Sequence, residues 1–281
     1  MKLASAMYPA YYPFEEMGLF SNYYCAEQPS DLDSKSTLVV WGGADISPSL
    51  YGKAVGSRTG AGERLSRRDA IEWALMQRAH QLGIPIIGIC RGAQMLCALA
   101  GGWLLQDVTH HTSSHEALTD DGRVLRVSSL HHQMLYPFEV DHVMIAQSKH
   151  KLSEHYLDVD DEVDVPVEPE FVYFPKEKGI AIQWHPEFMD GASMKFYHVT
   201  ANAFHEAKVT QIAITSSEYV YGCTTIGDTQ CCGSVEIWGD GYIEYSFLLE
   251  LLVCSNCAVF LVHLNNTPNY WNNISIPSIE E

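Results

Sequence analysis

The chain has 281 residues, 47% of them apolar, enough for one large domain or a medium domain with an extension. Its formal net charge is −18, and it lacks the clustered Lys and Arg of a phosphate-binding surface, which excludes nucleic acid as a partner. The N-terminal stretch has one lysine, no continuous apolar run and no clean cleavage site, so a cytoplasmic protein is expected, with its eight cysteines as thiols.

"MKLASAMY" reads as a first strand, and "STLVVWGGADISPSLYG" (36–52) as a second that ends in a glycine pair and a turn-rich loop. Residues 65–83 carry the best helical pattern. Ser66 serves as N-cap, Asp69 falls in the first turn, Ile71, Leu75, Ala79 and Leu82 recur at helical spacing, and Gly83 suits the position past the end. A short apolar strand over 85–89 then runs into Cys90, followed by a second helix over 91–100. This alternation predicts an α/β fold with a mostly parallel central sheet flanked by helices.

Further strands are expected at "DGRVLRV", "DHVMIAQS" and "FVYFP". Another, within 178–188, leads into Trp184, His185, Pro186 and Glu187, and a closing helix is expected over 192–207. Between them, residues 154–170 hold eight carboxylates and no Lys or Arg, which reads as a solvated loop. After Lys208 the composition changes: the last 73 residues have no Lys or Arg and five of the eight cysteines. The division is therefore a catalytic domain over 1–207 and a β-rich extension over 208–281. The apolar run 246–264 is interrupted by Glu250 and Asn256 and lacks a basic flank, so two buried strands around "CSNC" are expected rather than a membrane span. Such strands need a partner surface, either the sheet edge or another subunit.

Cys90 sits on a strand-to-helix corner, where the helix dipole stabilises a thiolate. Gly88 and Gly92 flank it two residues away on either side and leave room for a cramped backbone. The N–H of Arg91 can point at a developing oxyanion. "QWHPE" supplies the second half: His185 as base for Cys90, and Glu187, two residues on, to orient the imidazole.

"GIPIIGICRGAQML" with "GIAIQWHPEF" resembles the class I glutamine amidotransferase superfamily, which is flavodoxin-like in fold. "VVWGGADISPSLYG" and "VSSLHHQML" resemble its γ-glutamyl-γ-aminobutyrate hydrolase-like branch of cysteine peptidases. The resemblance covers residues 1–207. It implies a triad of Cys90, His185 and Glu187 and an oxyanion hole from the N–H groups of Gly43 and Arg91. It also implies a glutamyl site at Gly42, Gln94, Ser129, Leu130 and His131. The implied activity is hydrolysis of γ-glutamyl amides through a thioester on Cys90, with no cofactor and a small-molecule substrate. The alternative is a glutaminase subunit that passes ammonia from glutamine to a separate synthetase.

The chain departs from the family pattern in three places. Ser128 stands where the family shows Asn, the stretch between the first strand and Leu38 is short and Tyr-rich where a full helix is expected, and the tail matches nothing in the family. His110, His111, His115, His131 and His132 lack a Cys or carboxylate at matching helical spacing, so no zinc site is expected there, and His110 and His111 are placed in a turn lining the pocket mouth. Cys97 is expected to pack against the sheet. Cys254 and Cys257 form a single C-x-x-C, whereas a zinc ribbon wants two, so the tail cysteines read as buried thiols.

Overall fold

The computed structural model of the protein describes residues 1–189, 191, 193–195, 197 and 201, and the backbone of β15 (Phe247–Cys254) and β16 (Cys257–Leu264). The chain divides into two units, Met1–Lys208 and Val209–Glu281.

The first unit opens with β1 (Lys2–Ala6), β2 (Asn22–Ala26), β3 (Ser36–Val40), α1 (Arg67–Leu82), β4 (Ile86–Ile89) and α2 (Arg91–Leu99). There follow β5 (Trp103–Leu105), β6 (Asp107–Val108), β7 (His115–Thr119), β8 (Val124–Val127), β9 (Met134–Tyr136) and β10 (Val143–Ser148). The series continues through β11 (Tyr156–Asp158), β12 (Asp161–Glu162), β13 (Pro169–Phe174) and β14 (Gly179–Ile182).

One nine-stranded sheet organises this unit, in the order β2-β1-β3-β4-β14-β13-β10-β7-β8. From β2 to β14 every pairing is parallel. From β14 to β8 every pairing is antiparallel. The fold is α/β, and the expected parallel sheet is its first half. The sequence explains the split. β3 and β4 are unbroken apolar or small-residue runs, buried at every position, as strands covered on both faces must be. In β7 and β8 buried and more exposed residues alternate, the pattern of strands with one face to solvent.

α1 starts and stops where its end signals put it. The Ser66 hydroxyl accepts the Asp69 N–H at 3.0 Å, the Asp69 carboxylate accepts the Ser66 N–H at 2.9 Å, and Gly83 closes the helix at φ 61°. Its buried face is less apolar than its spacing suggests: Asp69 and Glu72 are buried beside Leu75, Met76 and Ala79, while Ile71 and Leu82 are half-buried.

The full helix expected between β1 and Leu38 is replaced by the edge strand β2, parallel to β1. Pro9, Pro13 and Gly18 break any helical run there, and Phe14 and Phe20 anchor the segment by burial instead. The acidic stretch is solvated at Glu154, Asp160, Asp161, Glu162 and Asp164, as its composition suggests, but it is not a plain loop. β11 and β12 form a hairpin whose flanks are tied down by Lys53–Asp158 at 2.5 Å and by the Ser57 N–H on Asp160 at 2.8 Å. Glu168 and Glu170, at its end, are fully buried on and beside β13.

Residues 191, 193–195, 197 and 201 are helical; the other positions of the expected closing helix lie outside the described residues. In the second unit β15 and β16 pair antiparallel, from Phe247↔Leu264 to Cys254↔Cys257. Cys223, Cys231 and Cys232 lie outside the described residues. Among the described residues no helix is long and apolar enough to cross a membrane.

Candidate active site

Cys90 occupies the corner between β4 and α2 with φ 50° and ψ −107°, a left-handed conformation that a side-chain-bearing residue rarely adopts. The glycines on either side make that corner possible. A Cβ on Gly88 would lie 2.4 Å from the Gly92 carbonyl oxygen, and one on Gly92 would lie 2.0 Å from that of Val40. The backbone N–H of Cys90 donates to the Ile182 carbonyl at 2.6 Å, so the elbow is tied to β14.

β14 leads directly to His185. Its Nδ1 meets Glu187 Oε1 at 2.8 Å, and the Phe188 ring stacks on the imidazole with centroids 5.3 Å apart. Burial alone would push the His185 pKa down; hydrogen bonds to Cys90 and Glu187 override it and raise it to about 10. Ser128, the departure from the family's Asn, holds the histidine's backbone at both ends. Its hydroxyl accepts the His185 N–H at 3.0 Å and donates to the His185 carbonyl at 2.8 Å.

Gly42 and Gly43 follow β3 and lie against this pair. A Cβ on Gly42 would come within 2.6 Å of His185 Cε1 and 3.4 Å of Cys90 Cβ, so the loop approaches as closely as only glycine permits. α1 fixes the loop: Arg68 donates to the carbonyls of Trp41 at 3.0 Å and Gly42 at 2.9 Å, and to Glu72 at 2.8 Å. Glu72 also pairs with the buried Arg91, which donates to Asp69 at 2.5 Å. The two segments expected to supply oxyanion N–H groups, at Gly43 and Arg91, are therefore both tied to Glu72 of α1, the first through Arg68 and the second through Arg91. Glu72 and Asp69 escape a reading based on apolar spacing, because they take buried positions on a helix face.

The remaining residues of the expected glutamyl site fall on one side of the corner. Gln94 donates to the Gln133 carbonyl at 3.0 Å, and His131 Nδ1 meets the same carbonyl at 2.9 Å. The Ser129 hydroxyl donates to the His111 carbonyl at 2.6 Å. Ser129 and His131 are buried, whereas Leu130 is 63% exposed.

His111 is fully buried rather than at a pocket mouth, because β13 brings carboxylates to it. Its Nε2 lies 3.3 Å from Glu168 and its Nδ1 3.5 Å from Glu170, which also meets His115 at 2.7 Å. His111, His131 and Glu170 place ligand atoms within 4.8 Å of one another, a donor set that suits a transition metal. The carboxylates that the histidines lack in local sequence thus arrive from across the sheet. Cys97 is buried against the sheet as expected, and burial pushes its thiol pKa far up.

The model of the Peptidase C26 family matches residues 28–187. The glutamine amidotransferase-like protein YvdE of Lactococcus lactis subsp. lactis is 31% identical over 172 residues, 53% of this chain and 65% of that protein. Rv2859c of Mycobacterium tuberculosis is 31% identical over 176 residues, 56% of this chain and 52% of its own length. The chain thus spans between about half and two thirds of these relatives. Among solved structures, a glutamine amidotransferase from Thermotoga maritima aligns at 14% identity and a TM-score of 0.46, over 75% of this chain and 86% of that one. The family match takes in Gly42, Cys90, the segment 128–131, His185 and Glu187, and more than half of the chain. The chain therefore belongs to the Peptidase C26 family, within the class I glutamine amidotransferase-like superfamily.

Proposed function

We propose that the protein is a cysteine hydrolase of γ-glutamyl amides. The sulfur of Cys90 attacks the side-chain amide carbon and forms a C–S bond. The C–N bond breaks as His185 gives its proton to the departing nitrogen. Water then attacks the γ-glutamyl thioester and gives one proton to His185; the C–S bond breaks, restoring the Cys90 thiolate and releasing a γ-carboxyl group that loses its remaining proton to solvent. The N–H groups of Gly43 and Arg91 stabilise the oxyanion in both steps. Gly42, Gln94, Ser129, Leu130 and His131 hold the glutamyl end. The reducing cytoplasm, where Cys25, Cys90 and Cys97 stay thiols, suits this chemistry.

The observation that carries the reading is His185, held between Cys90 and Glu187 beside a strained corner and protonated at neutral pH. The name of YvdE favours glutamine itself as substrate, with ammonia passed to a separate synthetase. Both readings share the first half-reaction, and one assay separates them. The protein is incubated with glutamine and with γ-glutamyl alkylamides in hydroxylamine, which intercepts the thioester as a γ-glutamyl hydroxamate. Hydroxamate from the alkylamides supports the hydrolase, hydroxamate from glutamine alone supports the ammonia supplier, and none from either overturns both.

A further inference from the structure

Directly beside His185 lies a groove of 560 Å³ that the sequence resemblance does not account for. One wall is the segment that replaces the expected helix. It contributes Tyr8, Tyr11, Tyr12 and Glu15, and Trp41, His185 and Glu187 close the other side. Tyr8 and Tyr12 are 44% and 43% exposed, and both line the same groove. The wall is anchored from behind. Phe14 packs edge-on against Trp41 at 5.9 Å, and Tyr11 packs against Tyr23 at 5.6 Å. The Trp41 indole N–H donates to Ser5 at 2.9 Å.

The charge of the groove is one-sided. Its lining contains no lysine or arginine, and its acids are Glu15 and the Glu187 already engaged by His185. Arg68 lies 5.0 Å over the Tyr8 ring, with its Nε on Glu72, its Nη2 on the carbonyls of Trp41 and Gly42, and its Nη1 towards Gly43 rather than in the groove lining. In an acyl transfer the leaving nitrogen must lie at the imidazole that protonates it, so the leaving group departs on the His185 side of the cleft.

We infer that this groove is the leaving-group subsite and that it takes an amine with an aromatic body and no carboxylate. The inference rests on the hydrolase reading above. Exposed tyrosines in the lining offer faces for a ring to stack on, and a volume of 560 Å³ is ample for one ring and a short chain. A leaving amine that carries a carboxylate, as γ-aminobutyrate does, brings its negative charge against Glu15 with no lysine or arginine in the lining to receive it.

The test holds the acyl half constant and varies the amine: γ-glutamylphenethylamine, γ-glutamylbutylamine, γ-glutamyl-γ-aminobutyrate and glutamine. The expected order of kcat/KM is phenethylamine, butylamine, γ-aminobutyrate, with about a hundredfold between first and last. Tyr12→Ala should reduce the preference for phenethylamine over butylamine by about tenfold. Glu15→Lys should raise kcat/KM for the γ-aminobutyrate amide about tenfold relative to the butylamide, a gain that misfolding cannot produce. Cleavage of all four without preference, or a preference for the γ-aminobutyrate amide, overturns the subsite and leaves the hydrolase reading standing. Failure to cleave any of them, glutamine included, overturns both.

Discussion

The two halves of the central sheet handle charge in opposite ways. In the parallel half, β4 delivers Cys90 to a corner whose geometry is written within five residues, Gly88 to Gly92. In the antiparallel half, His111, His115, Glu168 and Glu170 form a buried cluster assembled from segments up to 59 residues apart, and all of its ion pairs are long-range. The first arrangement is a strained residue at positive φ, buried at the corner, which the proposed function makes the nucleophile. The second serves architecture, because carboxylates that lose water must be paired where they are buried. The difference separates what a motif can specify from what only the closed sheet can specify.

The sharpest way to break this comparison is Cys90→Ala. If the corner is chemical and not structural, turnover on a γ-glutamyl substrate should fall by about 10⁴-fold or more. The melting temperature and circular dichroism should stay close to those of the unsubstituted protein, since φ 50° is already costly for any residue with a Cβ. Unfolding of the variant, or turnover above about a hundredth of the original, would remove the distinction between the halves.

The antiparallel half should fail in stability, and with a defined pH dependence. Burial alone would raise the pKa of Glu168; hydrogen bonds from His111 and from the Ser153 N–H outweigh it and hold it at about 2. A carboxylate held below its ordinary value stabilises the fold above that ordinary value, near 4.5. That stabilisation is lost as the pH falls from 4.5 towards 2. The shift corresponds to about 3 kcal/mol at neutral pH. Glu168→Gln should therefore lower the denaturation free energy at pH 7 by about that amount and flatten its decline between pH 5 and 2. Urea unfolding at several pH values reads both, and an unchanged acid slope would show that the cluster is not what secures this half.

The same contrast explains what could be read from the sequence. The corner, its glycines, α1 with both of its ends, and the His185–Glu187 pair were legible because each is local: a capping residue three positions from its partner, a carboxylate two positions from its imidazole. Glu72, and the pairing of Asp69 with Arg91, were not, because apolar spacing cannot mark a helix face that buries charge. Glu168 and Glu170 were hidden for the opposite reason. They end a run of eight carboxylates whose composition signals solvent, but β13 and the residue before it are buried almost throughout. Ser128 was visible as a departure but not as a clamp on the backbone of His185. The Tyr-rich stretch after the first strand was visible as a departure from the family's helix but not as an aromatic wall beside His185.

Within the parallel half, Glu187→Gln sharpens the role of the third residue. Glutamine keeps the shape and loses the charge that, with Cys90, raises His185 to about 10. The His185 pKa should move down towards the ordinary imidazole range, followed by NMR titration of its ring protons. Turnover at neutral pH should fall by about 10 to 100-fold, less than in His185→Ala, because members of such a unit contribute unequally. Equal losses in the two variants would make Glu187 a holder of the loop as well as of the proton.

The smallest expected effect tests whether the two kinds of site are independent. Ser66→Ala removes the hydroxyl that accepts the Asp69 N–H at the start of α1, a loss of about 1 kcal/mol for a helix cap. The Asp69 carboxylate keeps its bond from the Ser66 backbone N–H, which alanine retains, and its bond from Arg91. If that ion pair alone fixes the segment after Cys90, the variant should melt a few degrees lower and turn over within about twofold of the original. Arg91 is the first residue of α2, so any drift of Asp69 passes directly to the peptide next to the nucleophile. A loss in kcat much larger than the loss in stability would mean that the cap of α1 is part of what positions the corner. In that case the local signals that made α1 legible would also reach the chemistry.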